Sequence, residues 1–122
     1  MIYVISGSRS ITDAKLVDSI LDQHLAVKDV VHVGDASGVD AIVADYCYRR
    51  FCEVIVHKAD WDRHGKSAGP LRNREMADQA DRLIAIWDGR SKGTKNMIDT
   101  ALLHTGLEVF IYRHPPTGAA QR

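Results

Sequence analysis

Five short apolar runs alternate with segments of helical periodicity along this chain of 122 residues. The runs predict strands at 2–5, 29–33, 52–57, 83–87 and 108–112, with four helices among them. Nearly all-apolar strands that alternate with helices are typical of a parallel sheet with helices on both faces, so we predict an α/β fold. Because crossovers in such sheets are right-handed, the simplest strand order is 3-2-1-4-5.

Length and composition predict a single domain over residues 1–112. The tail, 113–122, combines proline, glycine and polar residues without a period, and we predict that it is disordered. Lys+Arg and Asp+Glu both number 16, so net charge gives no reason to expect nucleic acid as a partner. No apolar run approaches bilayer length and the start has no leader pattern, which predicts a cytoplasmic protein without membrane contact.

Capping signals predict where the helices begin. Thr12 can cap the first helix, and Ser37 with Asp40 has the spacing of a capping box for the second. Residues 59–69 are predicted to form a polar loop, after which Pro70 suits the first turn of the third helix. The two cysteines lack the spacing of a metal site, and we predict no metal ligands from them.

The loops after strands 1, 2 and 4 hold the residues that point to a ligand. In the predicted order these loops meet at the carboxyl edge of the sheet, where open α/β sheets bind ligands. Each loop joins glycine to a hydroxyl residue at a helix start, where free N–H groups favour an anion such as phosphate. The alternative is that glycine and serine only make tight strand-to-helix turns. The residues concerned are Gly7, Ser8, Arg9, Gly34, Asp35, Ala36, Gly38, Asp40, Asp88, Ser91, Gly93 and Thr94.

None of these loops carries a standard nucleotide fingerprint. The loop after strand 1 lacks the second and third glycines of G-x-G-x-x-G, and G-x-x-x-x-G-K-[ST] occurs nowhere in the chain. The sequence therefore argues against a conventional dehydrogenase or P-loop NTPase.

Residues 59–76 form a second cluster, rich in cations and containing a tryptophan. We interpret it as a mobile flap in which Trp61 or His64 stacks on a base and Lys66 reaches phosphate. The alternative is a solvated loop whose opposite charges pair with one another. Arg72 falls in the first turn of a helix, where a cation opposes the helix dipole, so we expect an anionic partner for it.

Taken in order, the motifs of these segments resemble the YspA type (cpYpsA-related) of the SLOG superfamily, which includes the LOG phosphoribohydrolases and the DNA-processing protein DprA. The resemblance implies a Rossmann-like three-layer sandwich, a site for a nucleotide or nucleotide derivative, a homo-oligomer, and a phage or bacterial setting. The motifs are Gly7-Ser8-Arg9, Gly34-Asp35-Ala36, Gly38-Val39-Asp40, Ala59-Asp60-Trp61, His64-Gly65-Lys66, Ala68-Gly69-Pro70, Arg72-Asn73 with Met76, Trp87-Asp88-Gly89, and Ser91 with Gly93-Thr94.

The LOG enzymes supply a mechanistic comparison with one departure. They use an arginine from R-K-x-x-M, which Arg72 and Met76 resemble, and a glutamate from P-G-G-x-G-T-x-x-E. The glutamate position is Met97 here, and a thioether cannot act as an acid or base, so the mechanism does not carry over intact. Whether the protein is an enzyme stays open, with Asp35, Asp88 and Arg72 as the catalytic candidates.

The leading hypothesis is a protein that binds, senses or sequesters a nucleotide: the loops after strands 1 and 4 hold phosphate, Asp35 holds ribose, and Trp61 and Lys66 close over the ligand. The alternatives are a nucleotide-processing hydrolase and a DprA-like binder of single-stranded nucleic acid. No cofactor is required, although Asp35, Asp40 and Asp88 could hold Mg²⁺ around a phosphate. The full predicted ligand-binding set is Gly7, Ser8, Arg9, Gly34, Asp35, Ala36, Gly38, Asp40, Trp61, His64, Lys66, Arg72, Asn73, Trp87, Asp88, Ser91, Gly93 and Thr94.

Overall fold

The computed structural model describes residues 1–117, and five parallel strands form one sheet in the order β3-β2-β1-β4-β5. The predicted α/β fold, Rossmann-like sandwich and strand order are therefore confirmed. No helix within the described residues is long and apolar enough to span a bilayer. The elements are β1 (Ile2–Gly7), α1 (Ala14–His24), β2 (Val30–Gly34), α2 (Val39–Arg49), β3 (Glu53–His57), α3 (Trp61–His64), α4 (Ala68–Gln79), β4 (Arg82–Trp87), α5 (Lys92–Leu102) and β5 (Glu108–Arg113).

Two apolar clusters, one on each face of the sheet, hold the layers together. On one face α1 and α2 bury side chains such as Leu21 and Val43 against Ile5 of β1. On the other face α4 and α5 bury Met76 and Met97 against β1 and β4. Each fully buried side chain of this size contributes roughly 1.5–3 kcal/mol. The central strands β1 and β4 are mostly apolar because successive side chains enter different clusters, whereas Ile55 and Val56 of the edge strand β3 are exposed.

The N-cap residues of two helices differ from the predicted ones. Asp13, not Thr12, caps α1, because its carboxylate accepts the N–H of Leu16 at 3.2 Å. The capping box predicted at Ser37 is wrong as well, since α2 has Gly38 at its N-cap and no side-chain cap there. Gly38 has φ of 73° and lies against the backbone of the loop after β1, and this left-handed turn sets the start of the helix.

The predicted polar loop at 59–69 contains helical turns. Asp60 caps α3 by accepting the N–H of Arg63 at 3.2 Å, a short 3₁₀ turn follows at Gly65–Ser67, and α4 begins at Ala68. Pro70 lies in the first turn of α4, as the sequence predicts. The chain therefore has five α-helices in its described part rather than the four expected, because Gly65, with φ of 56°, ends α3 before the turns that lead into α4.

Strand β5 and the residues after it reach beyond the predicted domain boundary at 112. Arg113 belongs to β5, and the N–H of His114 donates to the carbonyl of Trp87 at 2.9 Å. The N–H of Thr117 donates to the Ser10 carbonyl at 2.9 Å. The first part of the predicted tail thus lies along the loop after β1, and the disorder predicted for residues 118–122 lies outside the described residues.

Candidate functional site

A cleft of about 550 Å³ opens at the carboxyl ends of β1 and β4. Its walls come from the loops after β1, β2 and β4, from the α3–α4 segment and from the start of α5. This is the position where the strand order reverses, because β1 lies between β2 and β4. The cleft brings together these predicted residues: Gly7, Arg9, Ala36, Asp40, Trp61, Lys66, Arg72, Asn73, Asp88, Ser91, Gly93 and Thr94.

The other predicted site residues do not line this cleft. His64 lies instead on a second cavity of about 470 Å³, together with Lys58 and Arg63. Six lining residues were not predicted from the sequence. Three of them directly precede or follow a predicted residue in the chain, and this adjacency could have identified them. The predicted residues outside the lining are Ser8, Gly34, Asp35, Gly38, His64 and Trp87, and the missed ones are Ser6, Ser10, Gly69, Pro70, Lys92 and Asn96.

Ser8 and Trp87 support the loop after β4 from behind. The Ser8 side chain is fully buried, and its hydroxyl accepts the N–H of Asp88 at 3.0 Å. The indole N–H of Trp87 donates to the carbonyl of Ser91 at 3.0 Å. Both side chains thus shape the loop that faces the cleft without entering the cleft themselves.

Asp88 organises the same loop with both carboxylate oxygens. Oδ2 accepts the Ser10 hydroxyl at 2.7 Å, and Oδ1 accepts the N–H groups of Arg90 at 2.8 Å and Ser91 at 2.7 Å. Burial pushes the pKa of Asp88 upwards, but these hydrogen bonds to the ionised form outweigh it and lower the pKa to about 2. Asp88 is therefore a carboxylate at any ordinary pH, and its hydrogen bonds fix the approach to α5.

The start of α5 offers backbone donors to the cleft. Ser91 is the N-cap and makes no side-chain cap, because its hydroxyl pairs with that of Thr94 at 3.3 Å. The N–H groups of a helix's first turn have no partner within the helix, and Lys92, Gly93 and Thr94 of this turn line the cleft. Together with the helix dipole they form a local environment that favours an anion.

Three cations around the cleft have no counter-ion among the described residues: Arg9, Lys66 and Lys92. Arg9 follows β1, Lys66 belongs to the 3₁₀ turn before α4, and Lys92 opens α5. They approach the cleft from three different elements. Their charge is thus available to a ligand, because no ion pair within the described residues neutralises it.

Arg72 is the fourth cation of the cleft, and it has the anionic partner that its helix position predicts. Its Nη1 donates to Asp35 Oδ1 at 3.1 Å and to the carbonyl of His57 at 3.2 Å, and its Nε donates to Asn73 Oδ1 at 3.2 Å. Asp35, which the sequence suggests is free to face the site, lies against Arg72 and outside the cleft lining. The ion pair holds α4 to the end of β2.

Asp40 is the buried carboxyl of the cleft. It is 6% exposed, and its Oδ2 accepts the N–H of Ala36 at 3.2 Å. Burial raises the pKa of Asp40 to about 6, although the hydrogen bond from Ala36 and the charge of Arg72 act in the opposite direction. Gly34 makes room for both side chains, since a Cβ there would lie 2.7 Å from Asp40 Oδ2 and 2.7 Å from Arg72 Nη1.

Trp61 forms an apolar wall at the outer side of the cleft. Its indole is 53% exposed, and a Cβ on Gly69 would lie 3.3 Å from its Cη2 atom. The ring therefore rests over the first turn of α4 while part of it remains open to solvent. An aromatic ring in this position can stack on a planar ligand group.

Two methionines at positions of the LOG motifs, Met76 and Met97, serve packing in this chain. Met97 is fully buried in the cluster that contains Met76, and it does not line the cleft. The Asn73 amide donates to the carbonyl of Gly93 at 3.3 Å and to Asn96 Oδ1 at 3.0 Å. Asn73 thus joins α4 to the start of α5, and no acid or base occupies the place of the LOG glutamate.

The carboxylates considered for Mg²⁺ do not converge on one point. Asp35 is bound to Arg72, Asp88 uses both oxygens within its loop, and Asp40 accepts a backbone N–H. Over residues 1–117 no group of three or more His, Cys, Asp or Glu side chains is placed to hold a metal ion. These three carboxyl groups thus bind partners within the protein.

Comparisons with known proteins identify the family of this chain. A model of the YspA, cpYpsA-related SLOG family matches residues 1–64, which include the loops after β1 and β2 and the whole of α3. The Gene 61 protein of Mycobacterium phage D29 is 37% identical over 107 residues, which cover 80% of this chain and 86% of that protein. The chain therefore belongs to the YspA, cpYpsA-related SLOG family, which is connected in general terms with the binding or processing of nucleotides.

Proposed function

We propose that the protein binds a nucleotide or nucleotide derivative in the cleft at the carboxyl ends of β1 and β4. The observation that carries the proposal is the convergence of Arg9, Lys66 and Lys92, which lack counter-ions among the described residues, on the open first turn of α5. A charge-assisted hydrogen bond to phosphate contributes about 1.5–3 kcal/mol. Three cations and a helix start suffice for a ligand with two or more negative charges.

The roles follow from the elements that carry each residue. Arg9, Ser91, Gly93 and Thr94 hold phosphate, while Ser8, whose hydroxyl is taken by the N–H of Asp88, supports the loop instead. Trp61 and Lys66 close over the ligand from the α3–α4 segment, and stacking of a base on an aromatic ring contributes about 1–3 kcal/mol.

The ribose role that the sequence suggests for Asp35 has no support in this geometry. Asp35 is ion-paired with Arg72 outside the lining, and the role that its contacts support is to position Arg72. The homo-oligomeric state, the cytoplasmic location and the expectation that nucleic acid is not a partner stay predictions.

Calorimetric titration with AMP tests the proposal. Replacement of both Arg9 and Lys92 by Ala removes two unpaired cations from the cleft, and we expect at least about a hundredfold weaker binding. The matched control is Arg74→Ala, which removes an exposed cation of α4 that does not line the cleft and should leave the affinity within about twofold. Unchanged affinity in the double variant would contradict the proposal.

A nucleotide hydrolase is the second candidate, and Asp40 favours it. A buried carboxyl with a pKa of about 6 that lines a cleft suits proton transfer near neutral pH, a role that Met97 cannot take. Release of base or phosphate from nucleotides that is lost in Asp40→Asn would establish this activity. If the wild-type protein releases neither product from any common nucleotide, the hydrolase hypothesis fails and the binding function stands alone.

A further inference from the structure

A buried carboxyl without an ion-pair partner among the described residues lies in the cationic cleft. Asp40 is 6% exposed and lines the cleft, yet its one protein hydrogen bond comes from the N–H of Ala36. Arg72 lies close by, but its Nη1 and Nε are engaged with Asp35, His57 and Asn73. Asp40 therefore carries its charge, when ionised, directly into the space that the ligand would occupy.

Charged groups from three neighbouring segments face Asp40. Arg9 comes from the loop after β1, Asp35 from the loop after β2, and Arg72 from α4. The two cations favour the ionised carboxyl and Asp35 opposes it, while burial has the largest influence and favours the neutral form. Both protonation states of Asp40 are thus populated close to neutral pH.

Asp40 is also the lining group whose charge changes between pH 5 and pH 8. Asp88 stays ionised there, since its pKa is about 2, and the cationic lining residues are arginines and lysines. No histidine belongs to the cleft lining found in residues 1–117. The net charge of the cleft in this range therefore follows the protonation of a single side chain.

We propose that the anionic ligand enters the cleft together with a proton on Asp40, so that Asp40 makes ligand binding pH-dependent. This inference rests on the proposed function and adds the regulation of that site. An ionised Asp40 repels a phosphate or other anion that binds beside it. A protonated Asp40 removes that repulsion, and its O–H can donate to an oxygen of the ligand.

Thermodynamic linkage sets the size of the effect. If only the protonated form bound ligand, the affinity would fall about thirtyfold from pH 5 to pH 7.5 for a group that titrates at about 6. Because solvent and salt screen part of the repulsion in an open cleft, we expect a fall of between about threefold and about thirtyfold. The proton comes from the buffer and is released again with the ligand.

Isothermal titration calorimetry with AMP between pH 5 and pH 7.5 at constant ionic strength tests the inference. We compare the wild-type protein with Asp40→Asn, which keeps an oxygen that can accept the N–H of Ala36. AMP titrates in this range itself, but equally for both proteins, so their difference reports Asp40 alone. Asp45→Asn, a change on the exposed side of α2, is the matched control and should follow the wild type.

The inference predicts that Asp40→Asn binds AMP more tightly than the wild type at pH 7.5, with a smaller pH dependence, and that the wild type takes up more protons on binding than Asp40→Asn does. Equal pH profiles, or weaker binding by Asp40→Asn at pH 7.5, would overturn it while leaving the proposed function intact. Absence of AMP binding at every pH in both proteins would refute the proposed function and this inference with it.

A second measurement covers the case in which Asp40→Asn does not fold. The carboxyl ¹³C signal of Asp40 in the wild-type protein is followed by NMR against pH, with and without saturating AMP. A rise in the pKa of Asp40 on binding supports the inference, and an unchanged or lowered pKa overturns it.

Discussion

Replacement of Asp88 by Ala should destabilise the protein and disturb the start of α5. The carboxylate accepts the Ser10 hydroxyl and the N–H groups of Arg90 and Ser91, so the change removes three hydrogen bonds to an ionised acceptor. Such bonds contribute about 1.5–3 kcal/mol each when buried, and about 1 kcal/mol each at this half-buried position. We therefore expect the free energy of unfolding at pH 7 to fall by about 2–3 kcal/mol.

Part of this stability depends on pH in a defined direction. Because the pKa of Asp88 is lowered to about 2 from 3.8, its ionised form stabilises the fold above about pH 4, and that stability is lost as the pH falls from about 4 to about 2. Discounted for solvent exposure, the pH-dependent part is about 1 kcal/mol. It should be absent from Asp88→Ala.

Urea unfolding followed by circular dichroism at pH 7, 4 and 2.5 measures both effects. Asp99→Ala is the control, because it removes an exposed carboxylate paired with Lys95 within α5 and should cost less than about 0.5 kcal/mol. A loss below about 0.5 kcal/mol for Asp88→Ala at pH 7, or an unchanged difference from the wild type between pH 4 and pH 2.5, would refute the role given to Asp88.

Substitutions at three further positions probe the core and the cleft. Gly7→Ala should lower the free energy of unfolding by about 2 kcal/mol in urea titrations, because the new Cβ would lie 2.4 Å from the side chain of Val39. Met97→Glu should cost at least about 3 kcal/mol by the same measurement, since the position is fully buried, whereas Met97→Leu should cost less than about 1.5 kcal/mol. Because burial raises the pKa of Asp40 to about 6, the stability that its protonated form contributes should be lost as the pH rises from about 4 to about 6, so in thermal unfolding the Tm of the wild type should fall relative to that of Asp40→Asn over this range.

Apolar runs carried most of the fold information in this sequence. The run ending at Ile5 is apolar because β1 is buried on both faces. The length and position of this strand could therefore be predicted without knowing which elements pack against it. Strand order followed from the alternation with helices. The N-cap residues were harder to predict. Asp13 and Thr12 are both suitable residue types for the N-cap of α1, and only the local backbone conformation determines which of them takes that position.

The site could be located from the sequence more readily than the roles of its residues. Glycines and hydroxyl residues at the strand ends indicated the loops that line the cleft, whereas the direction of each side chain depends on tertiary packing. Asp35 and Asp40 are five positions apart along one loop and helix start, yet Arg72 of a distant helix pairs with the first and leaves the second in the cleft. Similarly, the Ser8 hydroxyl accepts the backbone N–H of Asp88 and does not face the cleft.

In the proposed function, the open first turn of α5 receives an anionic nucleotide group. A titration of ¹⁵N-labelled protein with AMP and ADP, followed by NMR, tests it most directly. We expect saturable shifts of the Gly93 and Thr94 amides and of the Trp61 indole N–H, with little change at α1 on the far face of the sheet. Shifts confined to other surfaces, or none at millimolar concentrations of either nucleotide, would contradict it.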